Sequence, residues 1–151
     1  MRKFLVLLDD SRECLNAMRF AAMRAAHTGG GVTILSVIPS EEFNHWIGVA
    51  ELMRAEARER IEVHFEVFAK WMRDRQGIEP ELVIREGDAL PEIIAQLRED
   101  PSIGVLVLGA GSEQKGPGPL VTQLSRQAGE LPVPFTIVPG DISKERLEDI
   151  T

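Results

Sequence analysis

The stretch Val105-Leu106-Val107-Leu108-Gly109-Ala110-Gly111-Ser112, followed shortly by Gly116-Pro117-Gly118-Pro119-Leu120-Val121-Thr122, decides the fold of this chain. Four aliphatic residues in a row read as a strand buried on both faces, the pattern of a parallel sheet. Small residues then break the strand, and a second glycine–proline turn leads into a helix that starts near Leu120. A strand-to-helix connection of this kind exposes backbone N–H groups and a helix N-terminus, which together attract phosphate. No other part of the sequence points to a ligand as directly.

Working outward from that stretch, strands and helices alternate. Residues 4–8, 32–38, 81–85, 103–108 and 135–138 are apolar runs of strand length. Between the first two, Leu15, Met18, Ala22, Ala25 and Ala26 recur at helical spacing until Gly29-Gly30-Gly31 stops the helix. Asp10 or Ser11 is placed to cap it. Residues 41–76 read as a long polar helix in which Leu52, Met53, Ile61, Phe65, Phe68, Trp71 and Met72 form a core-facing stripe. Phe43, Trp46 and Ile47 read as a lead-in to it. A third helix follows Gly87-Asp88 and carries Pro91 in its first turn, and a short fourth covers residues 120–129. This β-α-β-α-β-α-β-α-β order implies a three-layer α/β fold around a mostly parallel five-stranded sheet.

With 151 residues, 44% hydrophobic and 27% charged, the chain is the size and composition of one folded domain. A net charge of −7 disfavours a nucleic-acid or anionic-membrane partner. The lone cysteine, Cys14, excludes an intrachain disulfide and a cysteine-based metal framework, and its helical neighbours mark it as a buried small hydrophobe. The basic-then-apolar N-terminus mimics a signal peptide, but Asp9 and Asp10 cut the apolar run short. No stretch reaches the ~20 apolar residues of a membrane span. The expected location is the cytoplasm.

In open α/β sheets ligands bind beyond the carboxyl ends of the strands, where strand order reverses. If the first and fourth strands are neighbours, Asp9 faces the glycine loop across one crevice. Asp9 is then placed to accept from a ribose or a base, and Gly109, Ser112, Val121 and Thr122 to surround a phosphate chain; Leu8, Ser11, Val37 and Gly118 complete the candidate binding set.

Five segments in order resemble the universal stress protein family. They are Phe4-Leu-Val-Leu-Leu-Asp9-Asp-Ser11, Leu35-Ser-Val37-Ile-Pro39, Arg85-Glu-Gly87-Asp88 with Ile93-Ile94, Val105-Leu-Val-Leu-Gly109, and Pro132-Val-Pro134-Phe-Thr-Ile-Val-Pro139. The resemblance implies a Rossmann-like α/β/α domain over residues 1–140 and a homodimer through the last strand, which is otherwise an exposed edge. It also implies an adenine nucleotide as ligand, ATP with its Mg²⁺ among the choices, and a role in stress response. Residues 141–151 then form a charged tail, read here as a short docked helix.

Nucleotide-binding members carry Gly-x-x-Gly, about nine residues, then Gly-Ser or Gly-Thr before the last helix. This chain departs from that pattern. Ser112 stands at the second glycine, Pro119-Leu120 replaces Gly-Ser, the loop is shorter, and Asp10 replaces a glycine after the first-strand aspartate. Pro119 has no N–H to donate, whereas Lys115 adds a cation. No P-loop is present, and neither Ser11 nor Cys14 has a base partner legible in the sequence. His27, His45 and His64 show no metal-pair spacing. The chain therefore reads as a binding protein with at most slow ATP hydrolysis. The alternative is a dimeric interaction module of the same fold that has lost its nucleotide.

Overall fold

Aliphatic runs become inner strands when both of their faces meet helices. The computed structural model, which describes residues 1–40, 47–111 and 116–151, bears this out. The strands are β1 (Lys3–Leu7), β2 (Gly31–Ile38), β3 (Glu81–Glu86), β4 (Ile103–Ala110) and β5 (Phe135–Pro139). The helices are α1 (Cys14–Thr28), α2 (Ile47–Trp71), α3 (Ala89–Glu99), α4 (Pro119–Arg126) and α5 (Lys144–Ile150). A π-helical turn, Met72–Gln76, closes α2, and a 3₁₀ turn, Ala128–Glu130, follows α4. All strand pairs are parallel, in the order β3-β2-β1-β4-β5. Strand order reverses between β1 and β4, which pair directly, Phe4 against Val105 and Val6 against Val107.

Alternation along each strand divides the core between the two faces. Val6, Ile34 and Val107 lie with Met18, Ala21 and Ala22 of α1, and the inner side of α2 joins them through Ile61, Phe65, Phe68 and Trp71. Their neighbours Leu5, Leu35 and Leu106 point the other way, onto Ile93 and Leu97 of α3 and Leu124 of α4. The long helix α2 thus uses its aromatic stripe as core, but Leu52, read as part of that stripe, faces outward because it lies on the opposite side of the helix from Ala50 and Ala57. The predicted lead-in residues Phe43 and Trp46 lie outside the described residues, and Ile47 is the first residue of α2.

Three boundaries differ from the sequence reading. β4 runs two residues past Leu108 because Val138 and Pro139 of β5 pair with Gly109 and Ala110, so the ladder continues into the glycines. Pro119 opens α4 at a position where a missing N–H costs no helical bond. Neither Asp10 nor Ser11 caps α1, which starts only at Cys14 and has no side-chain cap at Glu13. The reason is local: the Asp9 carboxylate accepts bonds from the Ser11 N–H (2.8 Å) and hydroxyl, and this turn uses up the residues that would have capped.

Cys14 is buried at the start of α1 and its thiol points at the Leu7 carbonyl, 3.4 Å away. Burial pushes its pKa up to about 12, so little thiolate exists at neutral pH. Native protein is expected to leave a thiol reagent unreacted for hours at pH 8 and to react in minutes once unfolded in urea. Fast labelling of the native chain would contradict this placement.

The chain continues past β5 into α5, whose Ser143 accepts the Arg146 N–H as an N-cap. Leu147 of α5 is fully buried in the cluster on the α1 face. Asn16 of α1 donates to the carbonyls of Gly140 (2.8 Å) and Ile142 (2.9 Å), which fixes the approach to α5.

Candidate functional site

Beyond the carboxyl ends of the strands, three adjoining hollows open along the sheet. The largest, about 760 Å³, lies where β1 and β4 meet and is lined by residues including Ser11, Arg12, Glu13, Gly118, Thr122 and Arg126. A second, about 600 Å³, shares Gln123 and Arg126 with it and reaches Val37 and Pro39. A third, about 460 Å³, shares Val37 and Pro39 with the second and is bordered by Leu8, Asp9 and Ile61. The hollows adjoin one another through these shared residues and form a crevice with Leu8, Asp9 and Val37 at one end and Arg12, Glu13 and Arg126 at the other, polar end.

The structure distributes the sequence-predicted residues unevenly along it. Leu8, Asp9 and Val37 lie together at one end, and Ser11, Gly118 and Thr122 together at the other. Asp9 is tied down at Oδ1 by Ser11, while Oδ2 has no protein partner among the described residues. Thr122 donates its hydroxyl to the Gly118 carbonyl at 3.1 Å, the ordinary back-bond of a helical threonine.

Two predicted residues do not line the crevice. Val121 is buried with Leu124 in the core on the α3 face, since residues three apart share one side of α4. Gly109 sits inside β4, and its missing side chain serves packing. A Cβ there would lie 2.5 Å from the Glu13 carbonyl oxygen and 2.8 Å from its carbon. That carbonyl accepts the Ala17 N–H and so belongs to the first turn of α1. Ser112 and Lys115 lie outside the described residues.

Two residues that sequence reasoning passed over line the polar end. Arg12 and Arg126 both border the largest hollow, and neither has a carboxylate partner among the described residues. A signal for Arg126 existed: it is four residues after Thr122 and hence on the same side of α4. Several of the other arginines are engaged. Arg85 of β3, for example, is held by Glu92 and Glu99 of α3 at 2.8 and 2.7 Å, which fixes it in its charged form.

The backbone donors are fewer than a glycine loop promises. The Gly111 N–H already bonds the Pro117 carbonyl at 3.1 Å, and Thr122 N–H bonds Gly118. Pro119 offers none, so Leu120 and Val121 supply the free amides at the α4 N-terminus. This end brings two guanidinium groups and two amides together, donors of the kind that suit an anion, with the Glu13 carboxylate beside them.

Comparison with known proteins places the fold. Universal stress protein UspA from Lactobacillus plantarum is similar over 91% of this chain and 97% of its own, at 18% identity and a TM-score of 0.73. A universal stress protein from Archaeoglobus fulgidus, solved in complex with dAMP, is 18% identical with a TM-score of 0.60 over 91% of this chain and 98% of its own. Another universal stress protein, solved in complex with cAMP, is 17% identical with a TM-score of 0.59 over 93% of this chain and 98% of its own. None of the curated proteins matches. The sequence model of the Universal stress protein family matches residues 1–139, nearly the whole folded unit. The chain belongs to the universal stress protein family.

Proposed function

We propose that this chain is a cytoplasmic stress-response protein that binds an adenine nucleotide along the crevice, its base at Leu8 and Val37 and its phosphates at Arg12 and Arg126. The observation that carries the reading is the pair of arginines without carboxylate partners among the described residues, in a chain of net charge −7. Positive charge gathered on one hollow of an acidic protein fits a phosphorylated ligand. The dAMP and cAMP complexes of structural neighbours support the same ligand class. Asp9 Oδ2 is free to accept from ribose hydroxyls, and Glu13 is the carboxylate that would meet a Mg²⁺ carried in by ATP. No described helix is long and apolar enough to cross a membrane. β5 is an edge strand, and we assign it as the surface through which two copies pair.

Isothermal titration with ATP, ADP, AMP and adenosine tests the ligand. Arg126→Ala is expected to weaken the phosphorylated ligands about tenfold or more, the worth of one charge-assisted bond, and to leave adenosine unchanged. Absence of binding at millimolar nucleotide would overturn the reading. It would favour the interaction-module alternative, whose specific support is Pro119, which removes a donor from the α4 N-terminus.

A further inference from the structure

The outer side of α2 carries an apolar stripe that the fold does not use. Val49, Leu52, Val63 and Val67 are 45%, 59%, 64% and 65% exposed, whereas the opposite side of the same helix packs Ala50, Ala57 and Phe68 inward. Spacings of three, eleven and four residues keep all four on one line of the helix. Helix propensity does not account for the three valines, since valine is a weaker helix former than the Ala, Glu or Arg that fill other exposed positions of α2. In the gap between the two apolar pairs stand Glu56 and Arg60, on the same line, and neither forms an ion pair among the described residues.

The order of this stripe is its most informative property: apolar, acidic, basic, apolar. Such a series is complementary to itself when reversed. We infer that α2 is a self-association surface on which a second copy of this chain packs its own α2 antiparallel, about a two-fold axis level with residue 58. That axis sets Val49 opposite Val67, brings Leu52 beside Val63, and places Glu56 of each copy against Arg60 of the other. The interface is isologous, as a two-fold contact requires, so every pair is made twice. A helix of 25 residues is roughly 38 Å long at ~1.5 Å per residue, ample for four apolar and two charged layers. Parallel packing in register would set Glu56 on Glu56 and Arg60 on Arg60, which like-charge repulsion disfavours.

This surface is separate from the β5 edge and meets the third hollow of the crevice at Arg60, whereas Glu56 borders only the α2 patch, so Glu56→Arg keeps the association test distinct from nucleotide binding. Sedimentation velocity from 1 to 200 µM gives the association state of the wild type and of Glu56→Arg, Arg60→Glu and the double reversal. Each single reversal is expected to remove one association step, from dimer to monomer or from tetramer to dimer, with at least a tenfold loss in affinity. The double reversal restores the pairing with its signs exchanged, to within about threefold. Glu56 and Arg60 are both exposed, so folding is unaffected, which circular dichroism checks. A second measurement fixes the register: the Val49→Cys, Val67→Cys double variant cross-links between copies under mild oxidation, and either single variant does not. A wild type that stays monomeric to 200 µM overturns the inference. So does an association state that the single reversals leave unchanged, which would assign the assembly to β5 alone.

Discussion

Leu147→Ala is expected to lower the stability of the folded chain by about 3 kcal/mol, read as a shift of the urea midpoint at unchanged slope. Leu147 is fully buried on the α1 face, and the cavity left by truncation lies between α5 and α1, where two helices cannot both collapse into it. Charged residues surround Leu147, yet the element packs as the docked helix read from the sequence. Asn16 holds the incoming backbone, Arg24 bonds the Thr151 carbonyl at 3.1 Å, and Ser143 caps the helix. Deleting residues 141–151 is expected to cost more than Leu147→Ala, because Asn16 then also loses the Ile142 carbonyl. A truncated chain as stable as the full one would show that α5 contributes nothing to the core.

Gly109→Ala comes next in size, at about 2–3 kcal/mol, the scale of forced overpacking. Its new methyl would lie 2.5 Å from the Glu13 carbonyl oxygen, and backbone cannot rotate away as a side chain can. Relief requires α1 to shift at its first turn, and that turn carries the buried Cys14, Ala17 and Met18. Gly129→Ala is the matching control, since nothing lies within 4 Å of its Cβ and its φ is not positive. That change is expected to be neutral or slightly stabilising. The comparison also separates two explanations of Gly109. A glycine kept for phosphate approach would lose nucleotide affinity when substituted and leave stability intact, whereas a packing glycine does the reverse.

How legible the molecule is in its sequence follows from which physical signals are local. The five strands are, because a parallel strand covered on both faces must be apolar throughout, and residues such as Val105 to Leu108 have no other stable place. The end of β4 is not, because its last two pairs are supplied by Val138 and Pro139, about thirty residues downstream. At the crevice, Asp9, Ser11 and Thr122 are legible as polar residues that leave strands or open helices. Val121 is misread because a small helix shows both its faces in three residues, and only the Val121–Leu124 spacing tells core from rim. Arg12 and Arg126 pass unnoticed because a single arginine in a helical segment looks like any solvated charge. Their meaning arises when β1 and β4 become neighbours and bring the two within one hollow.

The pairing of β1 with β4 also dictates an order of events during synthesis. β1 leaves the ribosome before the other four strands, and β2 and β3 can join it on one side as they follow. Its other edge waits for residues near Val105, about a hundred positions later, so the middle of the sheet is closed by its most distant contact in sequence. Until then Leu5 and Val6 have an unpaired backbone edge, and the polar end of the crevice has no second wall. The polar end of the crevice therefore takes shape only after most of the sheet's residues have been made.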